Sequence, residues 1–289
     1  RPVIGWSDNA VYDADQVPVQ LEAFLQEYDH LLSEVRSGNA KTAETRGGTA
    51  VAPLISTKWD QGAPFNRYTP SYSSGNAPAG CVATAMAQVM KYYNYPANGH
   101  GTIGGWYFAP EDIDLSESVY DWNNMPDIYT SGQYSENEAA AVGRLTYDAG
   151  RAVETKYGQY ESAAHDTHIP GAMYKYFNYD GAITYKKRDY YDSQAWIGMI
   201  RESLLRGEPL IYGGTDGQDG HEFVCDGIDG DDYLHINWGW GGYCDGYFDM
   251  NAFIPEGTGT GGGRGDYYQH HGIIVNIRPG NPDEDHSDF

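Results

Sequence analysis

Residues 81–93, Cys-Val-Ala-Thr-Ala-Met-Ala-Gln-Val-Met-Lys-Tyr-Tyr, contain no Gly or Pro. Val82, Met86, Val89 and Tyr93 make an apolar stripe at helical spacing, and Ala83 and Ala87 make a second stripe of small residues. A helix apolar over that much of its girth has to be buried, so the rest of the chain must be built around it. Asn94-Tyr95-Pro96 ends it, because the residue before a proline is driven out of the helical region.

Other elements fall on either side of this helix. The capping-box pattern Ser135-x-x-Glu138 predicts a helix running to about Asp148, and shorter helices fit 170–178 and 193–206. After Gly207 the texture changes. Segments at 209–212, 222–225, 233–236, 246–248 and 273–275 read as short strands separated by Gly/Asp turns. Helices first and an antiparallel sheet second predict an α+β, two-lobed domain over 51–280, with 51–80 mostly loop. No repeat recurs at a period of 20–50 residues.

Upstream, residues 1–36 read as a strand and an amphipathic helix. Pro18 opens that helix, and Leu21, Leu25, Tyr28, Leu32 and Val35 follow at 3- to 4-residue spacing. Residues 37–50 are small, polar and Gly-containing, the composition of a linker open to proteases. Residues 281–289 read as an acidic, solvated tail. Arg1-Pro2-Val3-Ile4-Gly5-Trp6 is not a charged start leading into an apolar stretch, so any signal peptide is expected to be already gone.

The formal charge of −23 over 289 residues repels phosphate backbones and anionic lipids, which argues against nucleic-acid and membrane-surface partners. No apolar run reaches the roughly 18 residues of a membrane-spanning helix. The three cysteines, Cys81, Cys225 and Cys244, cannot close into a disulfide framework, and no CxxC occurs. The remaining composition, rich in Tyr, Gly, Asn and Asp, is that of an exported protein.

A free thiol in such a chain is either a small buried hydrophobe or a working thiolate. Cys81 follows Gly80 at the start of the buried helix, where about half a positive charge stabilises an anion. A thiolate there is expected to have a depressed pKa. A base is also required. His221 opens one strand, and the neighbouring strand ends in His235-Ile236-Asn237-Trp238. A hairpin between them is expected to set Asn237 beside His221, where its side-chain oxygen would fix the imidazole tautomer and Trp238 would shield the bond.

Four stretches then resemble the streptopain family (C10) of secreted bacterial cysteine peptidases. Gly80-Cys81-Val82-Ala83-Thr84-Ala85-Met86-Ala87-Gln88 is similar to its nucleophile motif. Gly220-His221-x-Phe223-Val224-x-Asp226-Gly227 and His235-x-Asn237-Trp238-Gly239-Trp240-Gly241-Gly242 resemble its base and Asn-Trp motifs. Trp59-x-Gln61-x-x-Pro64-Phe65-Asn66 resembles the segment supplying its oxyanion-hole glutamine. The resemblance implies a papain-like fold, with the Cys on a helical lobe and the His on an antiparallel sheet lobe. It implies Cys81 as nucleophile, His221 as general base and acid, and Gln61 with the Cys81 backbone N–H as oxyanion donors. Residues 1–36 resemble the end of an inhibitory prosegment, so the chain would be a zymogen acting on protein or peptide substrates outside the cytoplasm, without cofactor or metal. On the substrate side, Gly220 is expected to pair with substrate backbone. Residues 158–164 align with a segment shaping a pocket, with Ala163 where the family can have Ser. Trp240 and the loop 257–265 would either line the cleft or serve as a core aromatic and a mobile loop.

Two other readings stand beside the peptidase: a Cys-His-Asn acyltransferase or amidase on the same fold, and a non-enzymatic binding module using the 26 Tyr and 7 Trp. Arg264-Gly265-Asp266 and the carboxylates of 226–232 are most simply a chance tripeptide and turn chemistry. No HExxH or Walker-type loop occurs, and no GxGxxG precedes a helix after a strand.

Overall fold

The computed structural model describes residues 5–7, 47–215, 217–255, 257–260, 262 and 265–281. The helix expected at 18–35, most of the linker 37–50, Arg264 and nearly all of the tail lie outside the described residues.

The described residues form four α-helices: α1 (Cys81–Tyr93), α2 (Glu136–Ala152) and α3 (Ile169–Phe177), which share one core, and α4 (Ser193–Leu205), which packs in the other. Seven strands form one sheet: β1 (Gly5–Ser7), β2 (Thr184–Lys187), β3 (Leu210–Thr215), β4 (Gly220–Ile228), β5 (Leu234–Asn237), β6 (Gly246–Phe248) and β7 (Gln269–Val275). The order across the sheet is β1-β6-β5-β4-β3-β7-β2, antiparallel at every step.

Both faces of the sheet centre are buried, and the two-residue pleat sorts the side chains between two cores. Ile211, Val224 and Ile274 face the helical core, with Val82, Met86 and Val89 of α1. Tyr212, Phe223, Cys225 and Ile273 face the opposite core, with Trp196, Ile200 and Leu204 of α4. The helix expected at 81–93 is α1, ended by left-handed Asn94 at φ 47°.

Helix α2 keeps its expected capping box but runs on to Ala152 rather than stopping near Asp148. Its late polar residues are buried partners rather than an exposed end. Asp148 accepts a hydrogen bond from the Tyr120 hydroxyl at 3.1 Å, and Arg151 donates to the Glu111 carbonyl at 2.6 Å. The sequence reading missed β2, whose Thr-Tyr-Lys-Lys is half-buried and polar, as suits a sheet edge.

The second core holds a hydrogen-bonded chain. Trp196 Nε1 donates to the Tyr212 hydroxyl at 3.0 Å, that hydroxyl lies 2.9 Å from His271 Nδ1, and His271 Nε2 lies 3.0 Å from the Tyr267 carbonyl. Neutral His271, accepting at Nδ1 and donating at Nε2, satisfies both ends. Burial drives its pKa down to about 4, against the pull of the Tyr267 carbonyl. Below the unfolded value of about 6.5 the unfolded chain therefore takes up a proton that the fold refuses. Stability should fall as the pH drops from about 6.5 to about 4, by about 3 kcal/mol from this residue. Thermal unfolding followed between pH 7 and 4.5 should show a smaller loss in His271→Asn than in wild type. Equal losses would mean that His271 is already charged in the fold.

Candidate active site

The site begins at Gly80. This residue precedes α1 at φ 94°, a left-handed conformation natural to glycine, and a Cβ there would lie 3.4 Å from the Ser162 carbonyl oxygen. The tight approach brings the 162–163 strand against the start of α1. Cys81, the first helical residue, thereby opens onto a cleft of about 400 Å³. One wall of the cleft is the segment 161–166, and the other is formed by β3, the β3–β4 turn and the start of β4.

The thiol of Cys81 is pushed up to about 11. Burial is the main cause and the Glu222 carboxyl adds to it, while backbone N–H groups of Glu222, Val82 and Cys81 pull the other way. The depressed pKa expected from the helix N-terminus is therefore not what this structure holds. The helix amides do act on the sulfur, but loss of water outweighs them.

His221 lies at the first turn of the same wall, yet its ring is on the other face of the sheet. The pleat sends His221, Phe223 and Cys225 one way and Glu222 and Val224 the other. The imidazole is 2% exposed and stacks on Trp240 with centroids 4.8 Å apart. Its Nε2 lies 2.8 Å from the Trp238 carbonyl, and its Nδ1 is buried without a partner. Burial takes its pKa down to about 4, with the Trp238 carbonyl opposing. Both groups are thus uncharged at neutral pH, and neither imidazole nitrogen is hydrogen-bonded to Cys81.

Gln61 is brought close to Cys81 through the backbone. Its carbonyl accepts the Ala79 N–H at 2.8 Å, two residues before the thiol. Its side-chain Nε2 donates to the Thr260 carbonyl at 2.6 Å, and its Oε1 is buried without a partner.

A family model described as the peptidase C10 family matches residues 59–248. Streptopain of Streptococcus pyogenes is 32% identical over 96% of this chain and 75% of its own length. A thiol protease/hemagglutinin of Porphyromonas gingivalis is 32% identical over 96% of this chain and 34% of its own length. The solved structure of active wild-type interpain A cysteine protease of Prevotella intermedia superposes with a TM-score of 0.71 at 33% identity, covering 81% of this chain and 98% of that one. A prointerpain A fragment from the same organism superposes with a TM-score of 0.73 at 31% identity, covering 96% and 89%. The chain belongs to the peptidase C10 family. It is a cysteine peptidase with a papain-like fold of mixed helix and antiparallel sheet.

Within this peptidase the expected neighbour of His221 is elsewhere. Asn237 pairs with Val224, not His221. Strand β4 has nine residues and β5 only four, and a bulge between Cys225 and Gly227 uses up one more residue of β4. His221 therefore overhangs the end of β5, where its Nε2 meets the Trp238 carbonyl. Asn237 is 1% exposed and ties the lobes together instead. Its Nδ2 donates to the Thr57 carbonyl at 2.7 Å, and its Oδ1 accepts from Gln88 Nε2 and the Gly239 N–H, both at 3.0 Å. Gln88 Oε1 accepts in turn from the Thr57 hydroxyl at 2.9 Å.

Trp238 packs near His221 but shields no Asn237–His221 bond, because that bond is not made; its Nε1 donates to the Cys244 carbonyl at 3.0 Å. Gly220 and Ala163 are exposed on opposite walls of the cleft. Trp240 does not line it: the indole is 3% exposed, between His221 on one side and Gly259 and Gly262 on the other. These glycines lie so close that a Cβ on Gly259 or Gly262 would come within 2.5 or 2.6 Å of the indole. Sequence reasoning missed Gln88 and Glu222 as site residues. Gln88 was visible as a polar residue inside an apolar helix, and Glu222 as a second polar residue next to His221 at the start of an apolar strand.

In the intact chain, alkylation of Cys81 by iodoacetamide should be slow at pH 7 and accelerate toward pH 11. Cys225 and Cys244, 0% and 2% exposed, should stay unmodified until the protein unfolds. Peptide mapping by mass spectrometry reads all three thiols. Fast labelling of Cys81 at pH 7, with an inflection well below 9, would show that the thiolate is already formed.

Proposed function

We propose that this chain is a latent, exported bacterial cysteine endopeptidase in which Cys81 is the nucleophile and His221 the base. The observation that carries the reading is the cleft itself. Cys81, at the N-terminus of the one helix the fold is built around, faces the strand that begins with Gly220-His221. In the competent state His221 takes the Sγ proton, and the thiolate attacks the scissile carbonyl. Negative charge then develops on the substrate oxygen, where the Cys81 backbone N–H and Gln61 Nε2 donate to it. His221 returns its proton to the leaving amine as the acyl-enzyme forms. It then takes a proton from the attacking water, and the second tetrahedral intermediate collapses to release the acid and restore the thiol.

The described arrangement favours latency. The imidazole is held under Trp240 on the far side of the sheet, and the Gln61 amide is engaged by the Thr260 carbonyl. His221 is the second residue of β4 and follows a glycine, so rotation about Gly220–His221 would bring the ring to the cleft while the ladder from Glu222 onward is kept. The N-terminal segment has a means of opposing that rotation. Strand β1 pairs Gly5 with Phe248 and so extends the sheet beyond β6, next to the strand whose continuation supplies the Trp238 carbonyl. Residues 1–36 are read as the prosegment holding this state, and 37–50 as the processing region.

Replacing Cys81 by Ala should abolish peptide hydrolysis, a loss of up to about 10⁶ when a covalent nucleophile is removed. Gln61→Ala should cost about 10²–10³. His221→Ala should cost more than Asn237→Ala, because the Asn acts only by positioning. On incubation the wild-type chain should shorten by about 5 kDa of its 32.0 kDa as activity rises, and Cys81→Ala should not. Intact mass measured beside a casein activity time course decides this. Full activity from an uncut chain at the first time point would overturn latency, and normal turnover by Cys81→Ala would overturn the nucleophile.

A further inference from the structure

We propose that the cleft selects substrates with a lysine or arginine side chain close to the scissile bond, and that Glu222 receives its charge. The proposal rests on the peptidase reading above and deepens it.

Glu222 sits on the Cys81 side of β4, at the position the pleat assigns to it. Its side chain is 7% exposed, it lines the cleft, and its Oε1 is buried without a partner. The backbone is shaped around this carboxyl. Glu222 pairs with Gly213 across the ladder, and a Cβ on Gly213 would stand 2.4 Å from Glu222 Oε2. Glu161, Asp166 and Asp219 line the same cleft, and among the described residues no Lys or Arg does; His165 and His270 are its other titratable side chains besides Cys81 and His221. Burial, and then the charge of Asp166, push the Glu222 pKa well above the usual carboxylate range.

A buried carboxyl that faces other acids and leaves an oxygen unpaired is a seat for a donor bearing positive charge. Among the described residues no three His, Cys, Asp or Glu side chains are grouped to hold a metal ion, so the fitting occupant is an organic cation. An extended peptide lying across Cys81 would carry such a group as a lysine ammonium or an arginine guanidinium. The chain's own processing stretch has two of them, Lys41 and Arg46.

The test uses the autoprocessed enzyme. Casein fragments sequenced by mass spectrometry should show Lys or Arg enriched at one position within a few residues of the cut. Peptide pairs differing only by Lys or Met at that position should differ in kcat/KM by about tenfold or more, the size of one charge-assisted hydrogen bond. Glu222→Gln should collapse that ratio toward unity. If Glu222→Gln does not fold, Asp166→Asn, at the half-exposed edge, should lower the same ratio about threefold, as a nearby rather than direct charge does. Cleavage without cationic bias, or a ratio unchanged in these variants, would overturn the proposal while leaving the peptidase reading intact. Absence of any casein cleavage sensitive to a thiol inhibitor would overturn that reading and this one together.

Discussion

The pleat of β4 is the constraint on which the site depends. Because this strand is buried on both faces, consecutive residues must enter different cores. Phe223 and Cys225 join the Trp238 side, and Val224 joins the α1 side. A slip of one residue would send a carboxyl into an aromatic cluster and a phenyl ring into the cleft, so the register is held firmly. His221 and Glu222 lie at the strand's leading end, where that hold is weakest and where Gly220 imposes no side chain. The His221 ring can therefore be re-aimed without disturbing the core beneath it.

Burial explains why Cys81 and His221 are both uncharged at neutral pH. A thiol near 11 and an imidazole near 4 are groups that have each lost water and found no opposite charge. Brought together, each supplies what the other lacks: the imidazolium stabilises the thiolate and the thiolate the imidazolium, so proton transfer within the pair becomes favourable although neither group ionises alone. The helix N-terminus contributes amides toward the sulfur, but a dipole of half a charge is a smaller effect than desolvation.

The elements with strong local pattern were legible in the sequence. Helix α1 could be read from thirteen residues of unbroken apolar spacing, and the capping box marked the start of α2. That the start of the Cys81 helix and the strand opening with Gly220-His221 border one cleft followed from helix-then-sheet order and from the resemblance. The partner of His221 was not legible. It depended on strand overhang and on a bulge at Cys225/Gly227, and no residue type announces either. The sulfur's high pKa was equally hidden, because it is set by desolvation in the folded chain rather than by the local sequence.

Two buried polar residues in largely apolar elements, Gln88 and Glu222, organise the site. Gln88 interrupts an apolar helix so that it can join Thr57 and Asn237, and through them the loop that carries Gln61 to the start of α1. A buried amide with both ends satisfied fixes one arrangement of loop, helix and strand, whereas an apolar residue of similar size would permit several. Glu222 interrupts an apolar strand in the same manner, but one oxygen is left without a partner. The difference separates their roles. A satisfied buried polar group is part of the frame, and an unsatisfied one facing a cleft is complementary to something that enters it.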